Sequence, residues 1–288
     1  MAGAQPLNPR LLDRRALLGG LALAGLSRPA FAAPADLILT GRYRQGGSAI
    51  GLTAPRATVR VDGEVVGTAS ASGWFYVGFD RDAKPSATLS VETAERSASY
   101  STDIAGGDFD VQRIGGLPQN LVAPTDPALL ERIKAEAALK AVGYASRIDG
   151  DDFHEGFAMP LKTWRLSARF GGQRILNGLP QTPHFGSDLA APTGSPIMAP
   201  AGGVVTLANP AMHYEGGLTM IDHGQGLITV YLHQSRIDVK AGDRVSQGQV
   251  IGAVGMTGRA TGPHLCWRMR WRGRNLDPML LVGLQPPA

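Results

Sequence analysis

The chain holds a single cysteine, Cys266, in 288 residues. No intramolecular disulfide can form, which excludes the small stapled scaffolds, and one unpaired thiol in an exported protein calls for a partner chain, a free reactive group or a metal. Aromatic residues are sparse, at 6%. No apolar run is long enough to form a mature membrane span. The charge excess is also small. The formal net charge is +4, but Arg10, Arg14, Arg15 and Arg28 against Asp13 place +3 of it in residues 1–32. The remaining +1 gives no electrostatic case for a nucleic-acid partner.

Glycine and proline, at 38 and 20 residues, are abundant, which favours many turns and short strands over long helices. Residues 1–32 carry a basic head, the apolar run Ala16 to Leu26 and an A-x-A cleavage site at Ala30-Phe31-Ala32. This is the plan of a secretory signal peptide, and Arg14-Arg15 points to the twin-arginine route. Left uncleaved, the same segment would be a membrane anchor. The expected location is therefore exported, in the periplasm or the cell wall.

The fold is expected to be mainly β. Residues 36–115 read as a small β-sandwich: Ala57 to Val61 alternates, Asp62-Gly63 is a hairpin turn, and Glu64 resumes the pattern. Further strands are expected at Gly73 to Phe79 and Ala87 to Val91. No chemical constellation stands out in this region, which leaves it as a candidate surface for protein partners. Residues 116–155 form a helical connector, with Thr125 or Asp126 as N-cap, Pro127 in the first turn and a helix over 128–142. His154 stands alone and reads as surface. Residues 156–285 read as a compact antiparallel β domain with tight turns.

Five of the six histidines fall between His184 and His264. His184 and Asp188 lie four apart with Gly186 between them, a spacing that can fold back onto one metal. His264 and Cys266 lie two apart, so in a strand they address one face. Imidazole, carboxylate and thiolate are all zinc donors, and a catalytic zinc needs three protein ligands and one open position. His233 ends an apolar stretch at Tyr231-Leu232-His233 and can serve as general base, with His264 stabilising developing negative charge. His223 reads as structural and His213 as a surface loop residue. Arg259, Arg268, Arg270, Arg272 and Arg274, interleaved with Trp267 and Trp271, read equally as a substrate-facing rim or as a solvated strand face.

The run His184 to Asp277 resembles the lysostaphin-type (LytM-like) zinc metallopeptidase family. The units His184-x-Gly186-x-Asp188, Gly194 to Ala199, Ile221-Asp222-His223-Gly224-x-Gly226, Tyr231-Leu232-His233 and Gly262-Pro263-His264-Leu265 occur in order. The resemblance implies a LytM-like antiparallel β domain, Zn2+ as cofactor, peptidoglycan as partner and hydrolysis of peptide bonds in stem peptides or cross-links. It implies His184 and Asp188 as the first two zinc ligands and His233 and His264 as the catalytic histidines. The third ligand in the family is a histidine, at the position that Cys266 fills here. One reading makes Cys266 the ligand. The alternative is a non-catalytic domain that binds cell wall or activates a partner wall hydrolase.

Overall fold

A computed structural model describes residues 37–287. The leader expected over 1–32 lies outside the described residues. No helix among the described residues is long and apolar enough to cross a membrane.

The N-terminal strands form where apolar residues alternate. In Ser86–Glu92, Ala87, Leu89 and Val91 are buried, while Ser86, Thr88 and Glu92 are exposed. Asp62 and Gly63 both take positive φ, 51° and 83°, the pair of left-handed residues that a two-residue hairpin requires. They join Thr58–Val61 to Glu64–Thr68, and Asp62 Oδ1 accepts the Thr88 N–H at 2.8 Å. Those two strands, with Ser86–Glu92 and Ser97–Asp103, make a four-stranded antiparallel sheet. Ile38–Gly41, Ser48–Leu52 and Trp74–Gly78 make a three-stranded one. Ile50, Phe75 and Val77 of the smaller sheet and Val59, Leu89 and Val91 of the larger belong to one apolar cluster. That cluster continues into Phe153, Phe157, Leu227, Met269, Trp271 and Leu276, so the apolar interior runs without a break into the C-terminal half.

The helix expected over 128–142 is Pro127–Ala145, capped by Asp126, whose side chain accepts the Leu129 N–H at 2.7 Å. Its apolar stripe is weak, since Leu139 and Val142 are exposed, but Tyr144 packs against the C-terminal sheet. His154 keeps a partly exposed side chain, in line with a surface position, and also stacks on Trp74 with ring centroids 5.1 Å apart. An aromatic partner far away in sequence is invisible to local polarity.

An eight-stranded antiparallel sheet forms the C-terminal half. Its order is Arg244–Val245, Gly203–Met212, Gly216–Asp222, Leu227–Gln234, His264–Trp271, Ser187–Ala190 and Arg165–Ala168, and Arg274–Leu276 also pairs with His264–Trp271. Odd and even residues of the long strands serve different faces. Tyr231, Leu265 and Trp267, with Leu189, pack against Ile197 and Ile251 of a small three-stranded sheet. Val230, Leu232 and Cys266 pack on the opposite face, together with Tyr144 of the helix. A segment that read as part of the N-terminal module, Val111–Ile114, pairs in parallel with Gln173–Leu176. With Leu179–Pro180 these two strands form a separate three-stranded sheet, so the segment leaves the N-terminal module.

Candidate metal centre

The register of three strands assembles the centre. Asp188 on Ser187–Ala190 pairs with Cys266 on His264–Trp271, and Leu232 on Leu227–Gln234 pairs with Cys266 from the other side. Paired residues point to the same face of a sheet. Asp188 and Cys266 therefore share a face, and His264, two residues before Cys266, shares it too. His184 precedes the strand and folds back over it. Gly186 permits this approach: a Cβ there would lie 2.7 Å from Arg268 Cγ and 3.1 Å from Cys266 Sγ.

His184, Asp188 and Cys266 each offer one donor atom, and the three atoms lie within 4.8 Å of one another. All three residues are buried. His184 Nε2 is 3.1 Å from Asp188 Oδ1 and 3.4 Å from Cys266 Sγ. The other ring nitrogen, Nδ1, donates to the Arg169 carbonyl at 3.3 Å, which leaves Nε2 with its lone pair toward the cluster. Asp188 Oδ1 is buried with no hydrogen-bond partner. An orphaned carboxylate oxygen among imidazole and thiol is costly unless a cation completes it. The donor set and this orphaned oxygen fit a tetrahedral zinc with one open position.

Two guanidiniums contact the cluster. Arg174 Nη2 donates to Asp188 Oδ2 at 2.9 Å, and Arg268 Nε donates to Cys266 Sγ at 3.4 Å. The carboxylate and the sulfur thus each have their own arginine. Burial by itself would raise the Asp188 carboxyl, but His184, His264 and Arg174 outweigh it and hold its pKa below the usual carboxylate range. Burial pulls the His184 imidazole down, and Asp188 and Cys266 more than reverse that, holding it above its ordinary value.

His233 and His264 lie beside this cluster with ring centroids 4.7 Å apart, and His264 Nε2 is 3.7 Å from Asp188 Oδ1. Regular alternation would send His233 to the face of Tyr231. Its φ of 65°, the left-handed region that few non-glycine residues adopt, turns the ring instead toward His264. A register shift in the neighbouring strand between Gly217 and Thr219 accommodates the turn, and the His233 N–H donates to the Glu215 carbonyl at 2.8 Å. His233 Nδ1 donates to the Thr257 carbonyl and His264 Nδ1 to the Gly262 carbonyl, both at 2.8 Å. Both rings therefore keep Nε2 free as an acceptor. Burial pushes His233 down to about 4 and also lowers His264, so both are neutral at pH 7, as a proton acceptor must be.

The five expected site residues thus meet in one place. The remaining histidines do not: His223 is fully buried between the Gly202 carbonyl and the Thr229 hydroxyl, and His213 contacts the Asn120 carbonyl. The arginine run does not form one face: Arg259 lines a pocket with Asp188, His233 and His264, as a rim residue would, while the others pack elsewhere. Arg268 faces Cys266, Arg270 lies over Tyr144 at 4.8 Å, Arg274 over Trp271 at 5.0 Å and Arg259 over Tyr214 at 4.6 Å. Arg174 was missed by sequence reasoning, because no local pattern links it to Asp188.

A groove of about 600 Å³ opens on Asp188 and His264. The profile of Peptidase family M23 matches residues 182–278. A solved structure from Pseudomonas aeruginosa described as a peptidase M23 is 30% identical, with a TM-score of 0.63 over 84% of this chain and 96% of that one. Among curated proteins, the peptidoglycan DD-endopeptidase ShyA of Vibrio cholerae is 40% identical over 134 residues, 46% of this chain and 31% of ShyA. The DD-carboxypeptidase/endopeptidase Mpg of Neisseria meningitidis serogroup B is 40% identical over 127 residues, 44% of this chain and 25% of Mpg. The chain spans about a third or less of the length of these curated relatives.

Proposed function

Because the chain belongs to peptidase family M23, we propose that it is an exported zinc endopeptidase that hydrolyses peptide bonds in peptidoglycan cross-links. The observation that carries this reading is the convergence of His184, Asp188 and Cys266 within 4.8 Å of one another, flanked by two neutral histidines. The DD-endopeptidase names of the relatives favour a bond between D-configured centres. The reading also takes residues 1–32 as the export signal and the periplasm as the working compartment. The expected division into an N-terminal β module (36–115), a helical connector (116–155) and a catalytic domain (156–285) remains part of it.

In this reading His184 Nε2, Asp188 Oδ1 and Cys266 Sγ hold the metal. Zinc there would polarise the scissile carbonyl and acidify water near neutral pH. The protein's own residues do the rest. His233 accepts a proton at Nε2, its ring fixed by the Thr257 carbonyl. His264, fixed by the Gly262 carbonyl, presents Nε2 to the groove and steadies negative charge developing on the substrate oxygen. Arg174 holds Asp188 Oδ2, so that Oδ1 alone is offered to the metal.

The test is muropeptide analysis of purified sacculi digested by the zinc-loaded protein, beside a chelated control. Loss of cross-linked dimers with a matching gain of monomers is expected only with zinc. Intact cross-links under both conditions would sink the proposal.

A further inference from the structure

The groove beside the metal centre is unevenly charged. Arg165, Arg169 and Arg174 line it against Asp110 and Asp188. Arg174 is committed to Asp188, and Asp110 accepts from Gln112 at 3.3 Å. Arg165 and Arg169 have no carboxylate within ion-pair distance among the described residues. Both are exposed, and an exposed guanidinium with no carboxylate at ion-pair distance is available to a ligand.

The strand register sets Arg165 apart. Arg165 opens the edge strand and pairs with Ala190, and Ala190 pairs with His264. The three residues form one row across three strands, so their side chains stand on the same face. With strands about 4.8 Å apart, Arg165 lies roughly 10 Å from His264 along this row. The residue between them is alanine, too small to block the floor. An extended peptide rises about 3.3 Å per residue. A chain crossing the strands over Ala190 would place a group about two to three residues from the reacting bond at the guanidinium. Arg169 follows the end of the strand, outside this row.

We propose that Arg165 is a specificity-determining anchor for a carboxylate of the substrate peptide, two to three residues from the bond that is cut. The planar guanidinium accepts a carboxylate in a two-point arrangement. The ligand class is an anionic peptide carrying a free carboxylate near the cross-link, and an amidated or neutral bridge is disfavoured. The identity of that peptide rests on the peptidase reading. The charge preference at Arg165 does not.

The test uses the full, zinc-loaded chain and a fluorescein-labelled stem tripeptide that contains no cross-link. The tripeptide is prepared with a free diaminopimelate carboxylate and as its carboxamide. Fluorescence polarisation should give about tenfold tighter binding of the acid at low salt, with the gap narrowing as salt screens it. Arg165→Gln should erase the gap, Arg165→Lys should keep part of it, and Arg169→Gln should leave it unchanged. With a cross-linked dimer as substrate, Arg165→Gln should raise KM for the acid form about tenfold and leave kcat unchanged. Equal binding of the two tripeptides by the wild type, or an unchanged gap in Arg165→Gln, overturns the anchor even if sacculi are digested. A gap that vanishes in Arg165→Gln upholds the anchor even if no cross-link is cut, and the peptidase reading alone then fails.

Discussion

Asp188 and Cys266 are direct cross-strand partners, and each is backed by its own guanidinium, Arg174 on the carboxylate and Arg268 on the sulfur. The pairing places a carboxylate and a thiol side by side in a buried site, each within reach of a metal. Two negative charges there would repel each other in a medium that screens poorly, and the guanidiniums offset that repulsion once a metal draws the sulfur into the thiolate form. This arrangement ties the sequence departure at Cys266 to the rest of the site, and the predictions start from it.

Cys266→Ala should remove one of three metal donors. Zinc content of the purified protein, measured by mass spectrometry, should fall well below one per chain, and muropeptide release should be lost. Cys266→His restores a zinc donor and should retain metal and at least part of the activity. Full zinc occupancy in the alanine variant would remove Cys266 from the ligand set.

Arg268 should act through the sulfur. Its guanidinium is held above its ordinary pKa by Cys266 although burial opposes the charge. A thiolate without this partner donates more strongly to the metal and weakens its Lewis acidity. Arg268→Met should therefore shift the sulfur-to-metal charge-transfer band of the cobalt-substituted protein. Turnover should fall about 10- to 100-fold at saturating metal, the range for groups that orient metal ligands. Arg268→Lys should recover part of both. An unshifted band in the methionine variant would mean that Arg268 serves packing alone.

His233→Asn should separate chemistry from metal binding. Asparagine tolerates the left-handed backbone that position 233 requires, so folding should survive, yet it is no proton acceptor. The expected loss in kcat is about 10²- to 10⁴-fold, with zinc content and melting temperature close to wild type. Loss of zinc together with activity would mark His233 as part of the metal site.

The site was legible in the sequence where ligands share a local unit or a strand period. His184 and Asp188 sit four apart, His264 and Cys266 two apart, and those spacings survive folding. His233 was found only as the end of the Tyr231-Leu232-His233 unit. Strict alternation would have pointed it to the wrong face, because the backbone reversal at φ 65° has no signature in residue type. The hairpin at Asp62-Gly63 and the Asp126 cap were readable, since turn and cap chemistry is local. Arg174 was not, because its link to Asp188 depends on two strands from different parts of the chain. Nor was the edge of the groove formed by residues 110–114, whose parallel partner lies about sixty positions on.

His223 gives the last prediction, on stability rather than catalysis. Its ring is fully buried, Nδ1 donates to the Gly202 carbonyl, and Nε2 accepts from the Thr229 hydroxyl, which in turn contacts the Tyr231 hydroxyl at 2.8 Å. Every position around the ring suits the neutral form, and burial pushes its pKa from 6.5 down to about 4. The unfolded chain therefore binds a proton on this group between those two values while the folded protein does not. Stability from this residue is complete above pH 6.5, declines as the pH falls toward 4, and levels off below. The gap corresponds to a contribution on the order of 3 kcal/mol. Urea titrations at pH 7.5 and pH 4.5 should show the wild type losing stability on acidification. In His223→Gln the protein should be less stable at pH 7.5, through lost hydrogen bonds, but its loss between the two pH values should be smaller by roughly that amount. The same acid-dependent loss in both proteins would assign the transition to other groups, with His233, likewise pushed down to about 4 by burial, the first to examine.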